Sequence, residues 1–100
     1  MASWCDQNGL NNSAKLFYSQ SEEERTHKMK IFSYIMNNGG ASISPSIESV
    51  NHSFLSLPDV FQSALGIEIS VSQNIQKLMS TARKLEDFNT EIHLQWFVQE

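Results

Sequence analysis

Apolar side chains recur along much of this chain in steps of three and four, the spacing that gathers them on one face of a helix. The clearest run spans about 57–86. There Phe61, Ala64, Glu68, Val71, Ile75, Leu78, Ala82 and Leu85 share a face, and all but Glu68 are apolar. A second run spans about 10–38, through Leu10, Ala14, Phe17, Ser21, Glu24, His27, Ile31 and then Tyr34 or Ile35. Its polar exceptions are Ser21, Glu24 and His27. Shorter helical segments are predicted at 1–8 and 90–100, so the fold class is all-α. The breaks carry stop and start chemistry. Asn8-Gly9 ends the first segment, and Asn37-Asn38-Gly39-Gly40 ends the second with a glycine pair. Ser56-Leu57-Pro58-Asp59 reads as a helix start, with a Ser cap, a Pro in the first turn and an Asp facing the dipole. Asp87-Phe88-Asn89-Thr90 is the last break, with Asn89 or Thr90 as the expected cap.

The connection 39–56 is too long for a tight link between antiparallel helices. A helix of about 29 residues is ~43 Å long, and a connection of this length reaches ~60 Å when extended. It can therefore run the length of the molecule and set the two long helices parallel. The predicted architecture is a four-helix bundle with one long crossover, its first and fourth helices incomplete.

Composition narrows the class of protein without naming a function. A 100-residue chain makes one domain at most. Forty per cent hydrophobic residues and a mean hydropathy of −0.33 suit a globular chain. Eleven acids against seven bases give a net charge of −4, which argues against nucleic-acid partners. No run is long and apolar enough to span a membrane, and Met1-Ala2-Ser3-Trp4-Cys5-Asp6 has neither region of a secretion signal. Cys5 is the only cysteine, so no internal disulfide forms and a reducing cytoplasm is the expected compartment.

The polar members of the two stripes bring in chemistry. A carboxylate in a helix-bundle interior must be paired, protonated or on a metal. Glu24 and His27, three residues apart, project from one helical face. Glu68 holds the matching position on the other long helix. Two carboxylates and an imidazole suit Fe(II), Mn(II) or Zn(II). The same residues also admit a plainer account. Glu-x-x-His arises often by chance, and Glu22-Glu23-Glu24-Arg25 reads equally as a solvated acidic run with ordinary helical partners.

Three blocks together tie the chain to a family. Met-Ala-Ser-Trp-Cys at 1–5, Glu23-Glu24-Arg25-Thr26-His27 followed by Lys28-Met29-Lys30-Ile31-Phe32, and Leu94-Gln95-Trp96-Phe97-Val98 resemble bacterial non-heme ferritin in order and spacing. Glu68 falls at the position of that family's third-helix glutamate. The resemblance implies a ferritin-like four-helix bundle and a ferroxidase, which oxidises Fe(II) with O₂ at a di-iron carboxylate centre and stores ferric mineral. It implies Glu24 as the carboxylate bridging two irons, His27 as a ligand of the first and Glu68 as a ligand of the second. Glu23 and Glu100 match a third iron site, and Trp96 matches an indole beside the centre. The implied partners are iron, O₂ and further copies of the chain in a 24-subunit shell, with no nucleic acid and no membrane.

The chain also departs from the family's pattern. The first helix lacks a counterpart for its ligand glutamate, and the fourth stops before the remaining ligand positions. The expectation is therefore a fragment of a longer product with an impaired centre and no cage of its own. Each large apolar side chain left uncovered forgoes ~1.5–3 kcal/mol of burial, and several such losses rival a domain's net stability of ~5–15 kcal/mol. Two alternatives stand beside it. One is a non-catalytic helical fragment that folds only by self-association. The other is a different di-iron carboxylate protein, against which weigh the Leu-Gln-Trp block, the missing Cys-x-x-Cys tail of a rubrerythrin and the missing crossover helix of a mini-ferritin. Cys5 is expected to be a buried packing thiol, His52 a solvent-exposed loop residue and His93 a helix-surface residue. Met29, Met36 and Met79 are expected to fill the core rather than bind iron or haem.

Overall fold

The computed structural model describes residues 1–99 and contains four helices: α1 (Ala2–Gln7), α2 (Asn11–Asn37), α3 (Leu57–Lys84) and α4 (Phe88–Gln99). Two compact units divide the chain, one over Met1–Leu57 and one from Pro58 onward.

The first unit is organised by the way its helices end. The last carbonyls of a helix have no partner within it. At the end of α1, Gly9 takes a left-handed φ of 72°. Its N–H donates to the Asp6 carbonyl at 3.2 Å, and the Leu10 N–H donates back to the Cys5 carbonyl at 2.8 Å. This double closure is a Schellman motif. It reverses the chain and packs α1 onto α2. Cys5, Ala14 and Phe17 are buried as a result. The last two belong to the predicted stripe of α2, and Cys5 is the packing thiol expected.

α2 ends in the same way. Gly39 sits at φ 82°, its N–H donates to Met36, and the Gly40 N–H donates to the Ile35 carbonyl at 2.9 Å. Gly40 is needed for space, because a Cβ there would stand 2.7 Å from Ile35 Cγ2. The crossover beyond it contains no helix among its described residues. Near its start the Ser42 hydroxyl donates to the Phe32 carbonyl at 2.9 Å. Near its end Phe54 meets Trp4 edge-on, with ring centroids 5.9 Å apart. Phe32 lies in the last turns of α2 and Trp4 lies on the helix packed against its first turns. The segment therefore runs back along α2, as its length predicts.

In the second unit, Asp59 in the first turn of α3 and Arg83 and Lys84 in the last complement the helix dipole. The most protected positions of α3 are Val60, at 0% exposure, and Ala82. Phe61, placed on the predicted stripe, is 41% exposed. The middle of the helix, including Leu65, Ile67, Ile69 and Val71, is exposed throughout.

The turn after α3 is a third Schellman closure, made without glycine. The Asp87 N–H donates to Ala82 at 2.8 Å and the Glu86 N–H to Arg83 at 3.1 Å, with Glu86 at φ 55°. Asp87 then accepts from the Thr90 N–H and hydroxyl, at 3.2 and 2.6 Å. Asp87 is thus the cap, and α4 begins at Phe88 rather than at 90, because a carboxylate reaches the orphan N–H groups from that position. Arg83 Nε donates to Glu91 at 3.1 Å across the turn. The hydrogen bond and charge of Glu91 raise the Arg83 pKa above its usual value. A raised cationic pKa contributes below the unfolded value and is lost only as pH rises through the folded one, so for this guanidinium the loss falls in strong alkali.

Glu86 is the strained residue of this turn. Glu86→Gly relieves ~1–2 kcal/mol of left-handed backbone cost and adds ~0.5–1 kcal/mol of unfolded-state entropy. The expected net is a modest gain, read as a higher midpoint in urea unfolding. Gly40→Ala should lower that midpoint by about 1–3 kcal/mol of stability through overpacking against Ile35. A midpoint that falls with Glu86→Gly would show that the αL position is not strained.

Candidate metal centre

Glu24 and His27 sit on α2, and their three-residue spacing brings the side chains together. His27 Nδ1 lies 3.4 Å from Glu24 Oε2. Two donors each about 2.1 Å from one divalent ion, at octahedral or tetrahedral angles, stand about 3.0–3.4 Å apart. The pair therefore has the span of two ligands on a single ion. The His27 side chain is 20% exposed and the Glu24 side chain 61% exposed. The stripe position did not bury this carboxylate, so the expected desolvation cost does not arise and Glu24 needs no ion to stand where it does.

The surrounding acidic run behaves as a solvated face. Glu22 and Glu23 are exposed, and the Thr26 hydroxyl donates to the Glu22 carbonyl at 3.3 Å within the helix. Glu23 precedes Glu24 and so points about 100° around the helix from it. Glu68, in the second unit, lies on the exposed middle of α3 between Ile67 and Ile69. Glu100, expected at a third iron site, lies outside the described residues. Among the described residues, no group of three or more His, Cys, Asp or Glu side chains could hold a metal ion.

Trp96 lies on α4 and is half-buried, meeting Phe97 at 4.8 Å in a T-shaped contact. Phe97 in turn meets the His93 ring at 5.7 Å. His93 is therefore half-buried in an aromatic cluster, not a surface residue. The four-residue step from His93 to Phe97 was the available signal for that contact. Cys5 is a buried free thiol on α1, and His52 is exposed in the crossover.

A family model described as Ferritin-like domain matches residues 1–100. A probable bacterial non-heme ferritin-like protein of Haemophilus influenzae is 30% identical over 100 residues, covering all of this chain and 61% of that protein. A bacterial non-heme ferritin of Staphylococcus epidermidis is 33% identical over the same length, which is 60% of its own. Among solved structures, Chlorobium tepidum ferritin superposes with a TM-score of 0.96 at 29% identity, over 99% of this chain and 61% of that one. The chain belongs to the ferritin-like domain family, and its four helices have the ferritin-like fold. Within that family it is a homologue of bacterial non-heme ferritins, and it spans about three-fifths of the relatives it matches.

A chelating pair and a solvated acidic run respond differently to substitution. With Co(II) as a spectroscopic probe, Glu24→Ala or His27→Ala should weaken binding at least about tenfold, the scale on which metal sites respond to lost support. Glu22→Ala, in the same acidic run, should leave binding unchanged. Equal losses from all three would mark diffuse attraction to negative charge.

Proposed function

We propose that this chain is a ferritin subunit that takes Fe(II) as its substrate, transfers its electrons to O₂ and passes ferric product to a stored mineral. The observation that carries the reading is the match of the ferritin-like family model across residues 1–100. The Glu24–His27 pair on one face of α2, with the span of two ligands on one ion, supports it. In this reading Glu24, His27 and Glu68 would be the iron ligands that present Fe(II) to O₂, and Glu23 and Glu100 would serve a further iron site, the roles the family resemblance implies. Carboxylates suit the task because as hard oxygen ligands they hold both Fe(II) and Fe(III). Imidazole adds a neutral donor. No side chain acts as a nucleophile.

Storage requires a homo-oligomeric shell, and the single free thiol suits a cytoplasmic setting. Among the described residues, no helix is long and apolar enough to cross a membrane.

A second reading, a non-catalytic helical chain that folds through self-association, is favoured by one observation. Leu65, Ile67, Ile69 and Val71 lie exposed along the middle of α3, more apolar surface than a free-standing helix ordinarily presents.

Aerobic addition of Fe(II) separates the two. The first reading expects ferric absorbance to appear faster than in buffer alone, with Glu24→Ala or His27→Ala slowing it about tenfold or more. Oxidation at the buffer rate, unmoved by either substitution, would reject catalysis by this chain. Native mass measured alongside tests storage: a large shell would support it, and a monomer or small oligomer would remove storage from the account and favour the second reading.

A further inference from the structure

Two Asn-Gly dipeptides occur in this chain, Asn8-Gly9 and Asn38-Gly39, and the structure uses them identically. Each Asn is a helix C-cap, with φ −99° and ψ 14° at Asn8 and φ −104° and ψ 20° at Asn38. Each following Gly is left-handed. Asn8 Nδ2 donates to the Trp4 carbonyl at 2.8 Å, and Asn38 Nδ2 donates to the Tyr34 carbonyl at 2.8 Å. The Gly9 N–H donates to Asp6 and the Gly39 N–H to Met36, each at 3.2 Å.

Asn-Gly is the dipeptide in which a backbone nitrogen most readily attacks the preceding side chain, because Gly offers no Cβ to hinder it. The Gly nitrogen bonds to Asn Cγ, the Cγ–Nδ2 bond breaks, and ammonia leaves carrying the proton from the Gly N–H. Water then opens the resulting succinimide to aspartate or isoaspartate. In both caps the two reacting groups are held by helix carbonyls. The Gly N–H keeps its proton in one hydrogen bond, and the Asn amide is turned away in another. The reaction therefore requires the cap to open.

The two caps differ in the chain on their C-terminal side. After Gly9 the chain enters α2 at once, with Leu10 half-buried and closed onto the carbonyl of the fully buried Cys5. After Gly39 come the exposed Gly40, closed onto the Ile35 carbonyl, the exposed Ala41, and Ser42, which donates to Phe32 before a crossover without regular structure. The hydrogen bonds broken on opening are equivalent at the two caps, but only at Asn8 does opening also pull a half-buried side chain off a fully buried neighbour.

We propose that Asn38 is a site of spontaneous deamidation gated by fraying of the α2 C-terminus, and that the chemically equivalent Asn8 is protected. The product loses the donor to the Tyr34 carbonyl and sets a negative charge at the end of the helix dipole, where it is disfavoured. Isoaspartate also lengthens the backbone by one carbon. Both products loosen the point from which the crossover departs.

Ageing the intact chain in mildly alkaline buffer, with and without guanidinium, and mapping its peptides by mass spectrometry tests this. Folded chain should deamidate at Asn38 several-fold faster than at Asn8, both more slowly than in guanidinium, where the two rates converge. Asn38→Asp should speed hydrogen exchange at the Gly39 and Gly40 amides and leave Gly9 and Leu10 unchanged. Equal folded rates, a faster Asn8, or folded rates matching those in guanidinium would overturn the proposal.

Discussion

The carbonyls left unsatisfied at the ends of α1, α2 and α3 are the constraint on which the rest of the fold depends. A helix end must find hydrogen-bond donors, and here each finds them in the two residues just beyond it, folded back through a left-handed position. At Gly9 the solution reverses the chain and seats α1 against the first turns of α2. At Gly39 it turns the chain onto the side of α2, where Ser42 holds it before Phe54 meets Trp4 of α1. At Glu86 it delivers Asp87 to cap α4 and brings Arg83 to Glu91. Local hydrogen-bond accounting thus sets the path of the chain before any large core is assembled, and few side chains are fully buried.

That economy bears on the candidate centre. A metal site gains affinity when its ligands are held in place by neighbours, and loses it when they must be ordered by the ion itself. Glu24 and His27 owe their separation to helical spacing alone. Glu24 reaches solvent, and no third ligand group joins the pair among the described residues. The pair therefore has the span that two ligands of one ion would need and little support from neighbouring groups.

The sequence disclosed the helices well because their boundaries rest on residue types with fixed backbone consequences. Asn-Gly and the Gly39-Gly40 pair stop helices for reasons that hold in any context, and the length of 39–56 demanded a path along a long helix. Periodicity was less informative about burial. It grouped Phe61, Leu78 and Leu85 with Ala82, yet of these four only Ala82 is buried, and Val60, off the stripe, is closed from solvent. Spacing reports which side chains share a face, not how much neighbouring chain covers it. The same gap explains Glu24, whose stripe position suggested an interior carboxylate. Glu86 was illegible for another reason, since a non-glycine residue in the left-handed region leaves no mark in composition. His93, expected on the helix surface, is half-buried because its ring is shielded by Phe97, a local aromatic contact that charge and hydropathy do not encode.

The crossover is fastened to its own unit at both ends, through Ser42 on Phe32 and Phe54 on Trp4. Between those anchors lies a stretch whose two ends are already fixed, well apart, by the helices beneath it. Closing a longer loop across fixed points costs only about 0.6 kcal/mol for each doubling of its length. The stretch from Ile43 to Ser53 is therefore where this fold can absorb insertions or a grafted peptide with the least disturbance, whereas deletions would shorten a span that must reach along α2. The anchoring residues, not the segment between them, hold the crossover to α2.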